Sequence, residues 1–467
     1  MNARQRRPGT ILVVTMLIVF TLASMVLVIC SSMRVEATAA ANMAASLQAS
    51  TVERGAEQYV IALLTEQKDT LADLTEDYFQ QVPVGDSFFW IVRPDYDDTS
   101  LPLFGLTEEN AKLNVNNASN DSLMKLPYMT DDVATAIVSW RGGAAAGSTG
   151  SGGSPDQYYA SLGYQSKQGA FESVEELLLL RGMNRQMLYG DGTAPPLGVR
   201  SNYVTSSTGT NDMIVARGWF NYLTVYSTET AAAGQKVNVN NTQDRQPLND
   251  LLTKQLNNAA RVQAIMGSLT RNSNFVDLFD FAQQTTMKSS ELDLVYDSLV
   301  ATPAQGGAGG GAAGGAAAAT KVVGRVNVNV APREVLMCLP GLESAEVEKL
   351  IAARASNQPG TTTVGWVLDA LQQKARGLGT RITGKSSQYS ADIVAVTGNG
   401  RAFKRVRIVV DASGTTPQIT YRRDLTDRGW PMDPQILASL RAGQQLDTTG
   451  STTGNVGRGM SAGGSFR

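Results

Sequence analysis

Residues 1–30 read MNARQRRPGTILVVTMLIVFTLASMVLVIC, and the reading of this stretch settles what kind of molecule the chain makes. Arg4, Arg6 and Arg7 come first. Ile11 to Cys30 then carries no charge, with Thr15, Thr21 and Ser24 as its polar interruptions. As a helix, such a run is roughly 30 Å long, the hydrocarbon thickness of a bilayer. The basic residues precede the run and few follow closely, so the positive-inside rule keeps the N-terminus in the cytoplasm. The expectation is a single-pass membrane protein with an extracytoplasmic body.

A cleaved secretory signal also has a basic start and an apolar centre, and Ala37, Ala39, Ala40 and Ala41 resemble a cleavage site. Signal cores run about 7–15 residues, however, shorter than this one. From Ser31 to Leu74 there is no proline and a single glycine, Gly55. Met43, Leu47, Ala56, Tyr59, Val60 and Leu63 recur at near-helical spacing, which predicts an amphipathic continuation in phase with the apolar run. An ordinary envelope anchor that is never processed is the other competing reading.

The remaining composition narrows the function. The chain has 467 residues, 42% hydrophobic and 18% charged, with a formal net charge of −2, so nothing concentrates Lys and Arg for nucleic acid. It contains no histidine, which removes imidazole acid–base chemistry and the commonest transition-metal ligand, and the chain reads as a non-enzyme. Cys30 and Cys338 stand far apart, one in the apolar run, and read as free thiols.

One pattern recurs along the body. Leu113-Asn114-Val115-Asn116-Asn117-Ala118 opens a first copy, Val237-Asn238-Val239-Asn240-Asn241-Thr242 a second, and Val326-Asn327-Val328-Asn329-Val330-Ala331 a third. Copies one and three stay in register: Leu123 matches Leu336, Leu126 matches Leu339, Pro127 matches Pro340, Val138 matches Ile351 and Arg141 matches Arg354. Each predicts an extended entry, a helix, a tight hairpin and a second helix. Phe171-Glu172-Ser173-Val174-Glu175-Glu176-Leu177, Phe275-Val276-Asp277-Leu278-Phe279 and Thr363–Leu368 supply further helix signals. Strands are expected at Asn202–Ser206 and Met213–Tyr226, and an antiparallel meander at 392–397, 403–411 and 418–422.

The predicted fold is α+β: a long N-terminal helix, an antiparallel sheet core and inserted helix–hairpin–helix-like modules. Its parts are a leader (1–9), a membrane-spanning segment (10–30), an amphipathic continuation (31–80), an α/β region with the first module (81–235), a degenerate second module (236–303), a Gly/Ala linker (304–320), a third module (321–380), the β-meander (381–430) and a largely disordered tail (431–467). Gly142–Pro155 is a second flexible, Gly/Ala/Ser-rich stretch.

Helix–hairpin–helix units raise the alternative of a membrane-anchored DNA receptor. That use needs a Gly-hydrophobic-Gly hairpin whose free amides hold a phosphate. Here the third hairpin reads Pro340-Gly341-Leu342-Glu343, and the first Pro127-Tyr128-Met129-Thr130 followed by Asp131 and Asp132, so carboxylates face any phosphate. Asp95, Asp97 and Asp98 form an acidic loop that either holds Ca²⁺ or is simply solvated. Lys374, Arg376 and Arg381 read as solvated surface, and Tyr203, Trp219, Tyr222 and Tyr226 as core.

The basic leader, Gly9, and the apolar helix resemble type IV pilin-like proteins. That resemblance implies cleavage between Gly9 and Thr10 by a prepilin peptidase. Most such proteins have Glu at the fifth mature position, which here is Val14. Within the group, Val326-Asn-Val-Asn-Val-Ala-Pro-Arg-Glu-Val-Leu, then Leu339-Pro340-Gly341-Leu342, and Phe171-Glu-Ser-Val-Glu-Glu-Leu followed by Gly182-Met183, resemble the K-type minor pseudopilins of type II secretion, the general secretion pathway protein K family. The resemblance implies a subunit without the fifth-position acid at the tip of the pseudopilus. Its implied partners are the I- and J-type minor pseudopilins, the prepilin peptidase and the inner-membrane secretion platform. The resemblance also implies that the membrane is the inner one and that the body lies in the periplasm. The extra module at 236–300 and the linker at 304–319 depart from the family pattern.

Overall fold

Once Pro8, tolerated at a helix start, is passed, nothing before Glu66 breaks a helix. The computed structural model describes residues 8–66, 74–94, 96, 103–142, 155–190, 197–198, 217–230, 236–269, 274–302, 321–356 and 362–444. Helix α1 runs Pro8–Glu66, 59 residues and about 90 Å long. Its few hydroxyls do not interrupt it, because Thr15, Thr21, Ser24 and Ser31 donate back to carbonyls three residues earlier.

The body half of α1 lies on an antiparallel sheet of six strands: β1 (Val82–Val84), β2 (Ser87–Val92), β3 (Thr107–Glu108), β4 (Gln388–Val396), β5 (Phe403–Asp411) and β6 (Gln418–Asp424). Their order is β1-β2-β4-β5-β6, with β3 also on β4. Alternation splits the strands into two faces. Ala391, Ile393, Ala395, Val406, Ile408 and Val410 join Val52, Ala56, Val60, Leu63 and Leu64 of α1 in one core. The opposite face carries Ser390, Asp392, Arg405 and Arg407.

The modules are inserted between β3 and β4. Each is closed by a two-residue parallel bridge: Leu113–Asn114 with Leu223–Thr224, Val237–Asn238 with Leu299–Val300, and Val326–Asn327 with Ile382–Thr383. Their helix pairs are Asn120–Met124 with Asp131–Trp140, Arg245–Leu256 with Ala259–Leu269, and Arg333–Met337 with Ser344–Ala355. One hydrophobic core runs through all three.

The α+β class and the meander stand as expected, but several particulars change. The second module, degenerate in sequence, has its own bridge and helix pair like the other two. The expected strand Met213–Tyr226 is, where described, a 3₁₀ turn Trp219–Asn221 and the two-residue strand Leu223–Thr224. Gly218, at φ +70, precedes the turn at a place where any Cβ would collide with the backbone of Leu188 to Gly190, so only glycine fits there. The region 81–235 and the meander 381–430 share a single sheet instead of forming separate units. The tail is ordered as far as 444: Trp430 meets Trp90 and Phe403 edge-on, and helix Pro434–Arg441 buries Leu437 and Leu440. The strand Asn202–Ser206, the linker at 304–320 and the end of the tail lie outside the described residues.

Candidate functional site

Helix α1 divides into two segments of opposite character. From Ile11 to Val35 its large apolar side chains are exposed, Leu12 at 68% and Phe20 at 75%, against no other part of the chain. It is the one helix among the described residues long and apolar enough to cross a membrane. Gly9 and Thr10 lie in its first turns, and Val14 projects from it 56% exposed. Residues 1–7 lie outside the described residues.

From Ala45 the helix turns a stripe of small residues to the sheet: Ala45, Ala49, Val52, Ala56 and Val60 are buried. Of the predicted amphipathic face, Ala56, Val60 and Leu63 hold, whereas Met43 and Leu47 are 67% and 60% exposed. The buried stripe is rich in alanine and is not the most hydrophobic one.

Polar contacts fix the helix along this contact. Gln48 donates to Asp86 at 2.8 Å and to Ser87 at 3.0 Å. One turn on, Glu53 and Glu57 share the guanidinium of Arg422 on β6: Nη2 reaches Glu53 at 3.0 and 3.1 Å, and Nε reaches Glu57 at 2.6 Å. Burial first, and then the neighbouring Glu57, raise Glu53 to about 7, with Arg422 pulling the other way. Reading the sequence missed this trio; its one visible trace is two acids spaced i,i+4 beside the Ala49, Val52, Ala56 and Val60 stripe.

On the opposite face a buried charged layer joins sheet to modules. Asp392 accepts from Arg405 at 2.9 and 2.7 Å and from Arg407 at 3.2 Å. Arg407 also stacks on Phe220, 4.4 Å from the ring centre, and donates to Asn221 at 3.2 Å. Beside them Lys112 pairs with Glu109 and donates to Ser390 at 3.2 Å. Burial opposes the charge on Asp392 and Glu109, but the Arg405 and Lys112 partners outweigh it and hold both carboxyls below their usual range. Every member has a partner, as a structural brace requires.

Within each module the second asparagine of the repeat is a clamp. Asn116 exchanges two hydrogen bonds with the backbone of Phe171 at 2.8 and 3.0 Å, and Asn240 does the same with Phe275 at 2.7 and 2.9 Å. Asn329 donates to the carbonyl of Thr363 at 3.2 Å and accepts from Trp366 Nε1 at 2.9 Å. The matched arginines also share a role: Arg141 donates to the carbonyls of Val115 and Ala118, and Arg354 to those of Val328 and Ala331. The hairpins face other parts of the body. Lys125 of the first module donates to the carbonyls of Leu339 and Leu342 in the third hairpin, both at 3.0 Å. Trp219 Nε1 donates to Pro127 in the first, at 3.1 Å.

Asp95, Asp97 and Asp98 lie outside the described residues, as does Tyr203. Among the described residues no group of three or more acidic or cysteine side chains is placed to hold a metal ion. Trp219 and Tyr222 are core residues and Tyr226 is half-buried against Tyr421. Arg376 and Lys374 are exposed surface residues, the first 3.4 Å from the buried Asp280 and the second 3.8 Å from Glu346. Cys30 and Cys338 are free.

Fold and site together define an α+β body carried on one N-terminal helix suited to spanning a membrane. No family model and no curated protein matches the chain.

Proposed function

We propose that the chain is a non-enzymatic minor pseudopilin of the K type, anchored in the inner membrane and capping the tip of a type II secretion pseudopilus beside I- and J-type subunits. The observation that carries this reading is the division of α1: one continuous helix is bare and apolar in its first half and packed on an antiparallel sheet in its second. Such a subunit can leave the bilayer as a unit, because its body already holds the helix that must move. Val14 supports a terminal position. An acid there would need a partner in an apolar setting, whereas valine needs none. The wide modular body fits an end better than a repeating shaft. A DNA receptor is disfavoured because the hairpins are engaged by Lys125 and Trp219.

Co-expression with a prepilin peptidase tests the reading. Sequencing of the mature N-terminus is expected to begin at Thr10, and Gly9→Leu is expected to leave the leader attached. A chain that keeps Met1 beside an active peptidase sinks the proposal.

A further inference from the structure

We propose that Glu53, Glu57 and Arg422 form a proton-operated clasp that fastens the body half of α1 to the edge of the sheet and loosens as the medium turns alkaline. This does not rest on the secretion reading. Two carboxylates one turn apart on α1 share one guanidinium, at 3.0 Å from Glu53 and 2.6 Å from Glu57. With both acids ionised the cluster keeps one uncompensated negative charge in a place where Glu53 is 2% exposed. With one proton held between the carboxyls it is neutral, the state that burial favours.

Among the described residues nothing else nearby supplies the missing positive charge. Toward this part of α1, β4 presents Ala391, Ile393 and Ala395, and β5 presents Val406, Ile408 and Val410. Lys404, on the same face of β5, is held by Asp424 at 3.3 Å, and Asp86 on the β1–β2 turn is held by Gln48. On α1 itself Arg54 points into solvent. Arg422 comes from the edge strand β6, and its side chain is 44% exposed, so a proton can leave for bulk water directly.

The sign follows from where the carboxyl titrates. Glu53 moves from an ordinary 4.5 up to about 7, through burial first and then Glu57. A carboxyl raised by folding contributes stability that is complete below its unfolded value and is lost as pH rises through its folded one. The clasp is therefore closed at pH 5–6 and weakened at pH 8.

The test uses the full-length chain in detergent micelles, with hydrogen exchange of amides 49–63, corrected for intrinsic rate, and the thermal midpoint, both at pH 6 and pH 8. The wild type is expected to lose protection in this segment and to melt lower at pH 8. Glu53→Gln, which keeps the hydrogen-bonding shape and cannot ionise, is expected to erase both differences. Glu57→Gln is expected to do the same, since one acid then faces one arginine, and it serves if the first variant does not fold. Wild-type protection that is equal at the two pH values, or a Gln variant that keeps the full pH dependence, overturns the proposal.

Discussion

Asn240 shows how much a single side chain carries in the modules. It is 1% exposed, and both its amide groups are spent on the backbone of Phe275, with a further bond to Thr302. Removing it leaves a buried N–H and C=O without partners, each worth about 1–3 kcal/mol. Asn240→Ala is therefore expected to destabilise the chain by about 2–4 kcal/mol, read as a lower denaturant midpoint at unchanged slope. An unchanged midpoint would remove the clamp from the account. The recurrence of Val-Asn-Val-Asn is plain in the sequence, as is the pairing of Arg141 with Arg354. The bonds themselves were not legible, because each asparagine reaches a backbone segment tens of residues away. The trio of Glu53, Glu57 and Arg422 was hidden for the same reason: Arg422 lies 369 positions from Glu53.

At the level of elements, the contact between α1 and the sheet depends on small residues. Ala49 and Ala56 are fully buried. A larger side chain there pushes the helix off β4 and β5, and overpacking of this kind costs about 1–3 kcal/mol. Ala49→Leu is expected to lower the melting temperature, while Met43→Ala, at an exposed site, is expected to leave it unchanged. Thermal melts of the two variants side by side check this, and the opposite ranking would place the contact on the other face. Periodicity alone ranks Met43 and Leu47 above Ala45 and Ala49, since hydrophobicity scales reward size. Which stripe is buried was decided by strands far along the chain. The meander, by contrast, was legible at 392–397 and 403–411, because its pattern is local, although β4 begins four residues earlier at Gln388.

For the molecule as a whole, the two faces of the sheet answer pH in opposite directions. Asp392 and Glu109, on the module face, titrate below their usual range. They contribute stability that is present above the unfolded carboxylate value and lost as pH falls through the folded one. Glu53, on the helix face, titrates at about 7 and contributes in the reverse sense. The full chain is expected to be most stable at mildly acidic pH, between those limits, with thermal midpoints falling on both sides. A midpoint that climbs steadily from pH 5 to pH 9 contradicts this balance.

The insertion of all three modules between β3 and β4 also orders events in time. When α1 and β1 to β3 have emerged, β2 can already meet the helix, but β4 and β5, which supply the rest of the sheet against its alanine stripe, are not yet made. At synthesis rates of about 5–20 residues per second, the wait for β4 is on the order of tens of seconds. Through that interval the modules can close one by one on their own parallel bridges, while the helix is covered only in part. The sheet cannot be completed until β4 to β6 exist, so its completion reports that nearly the whole chain has arrived.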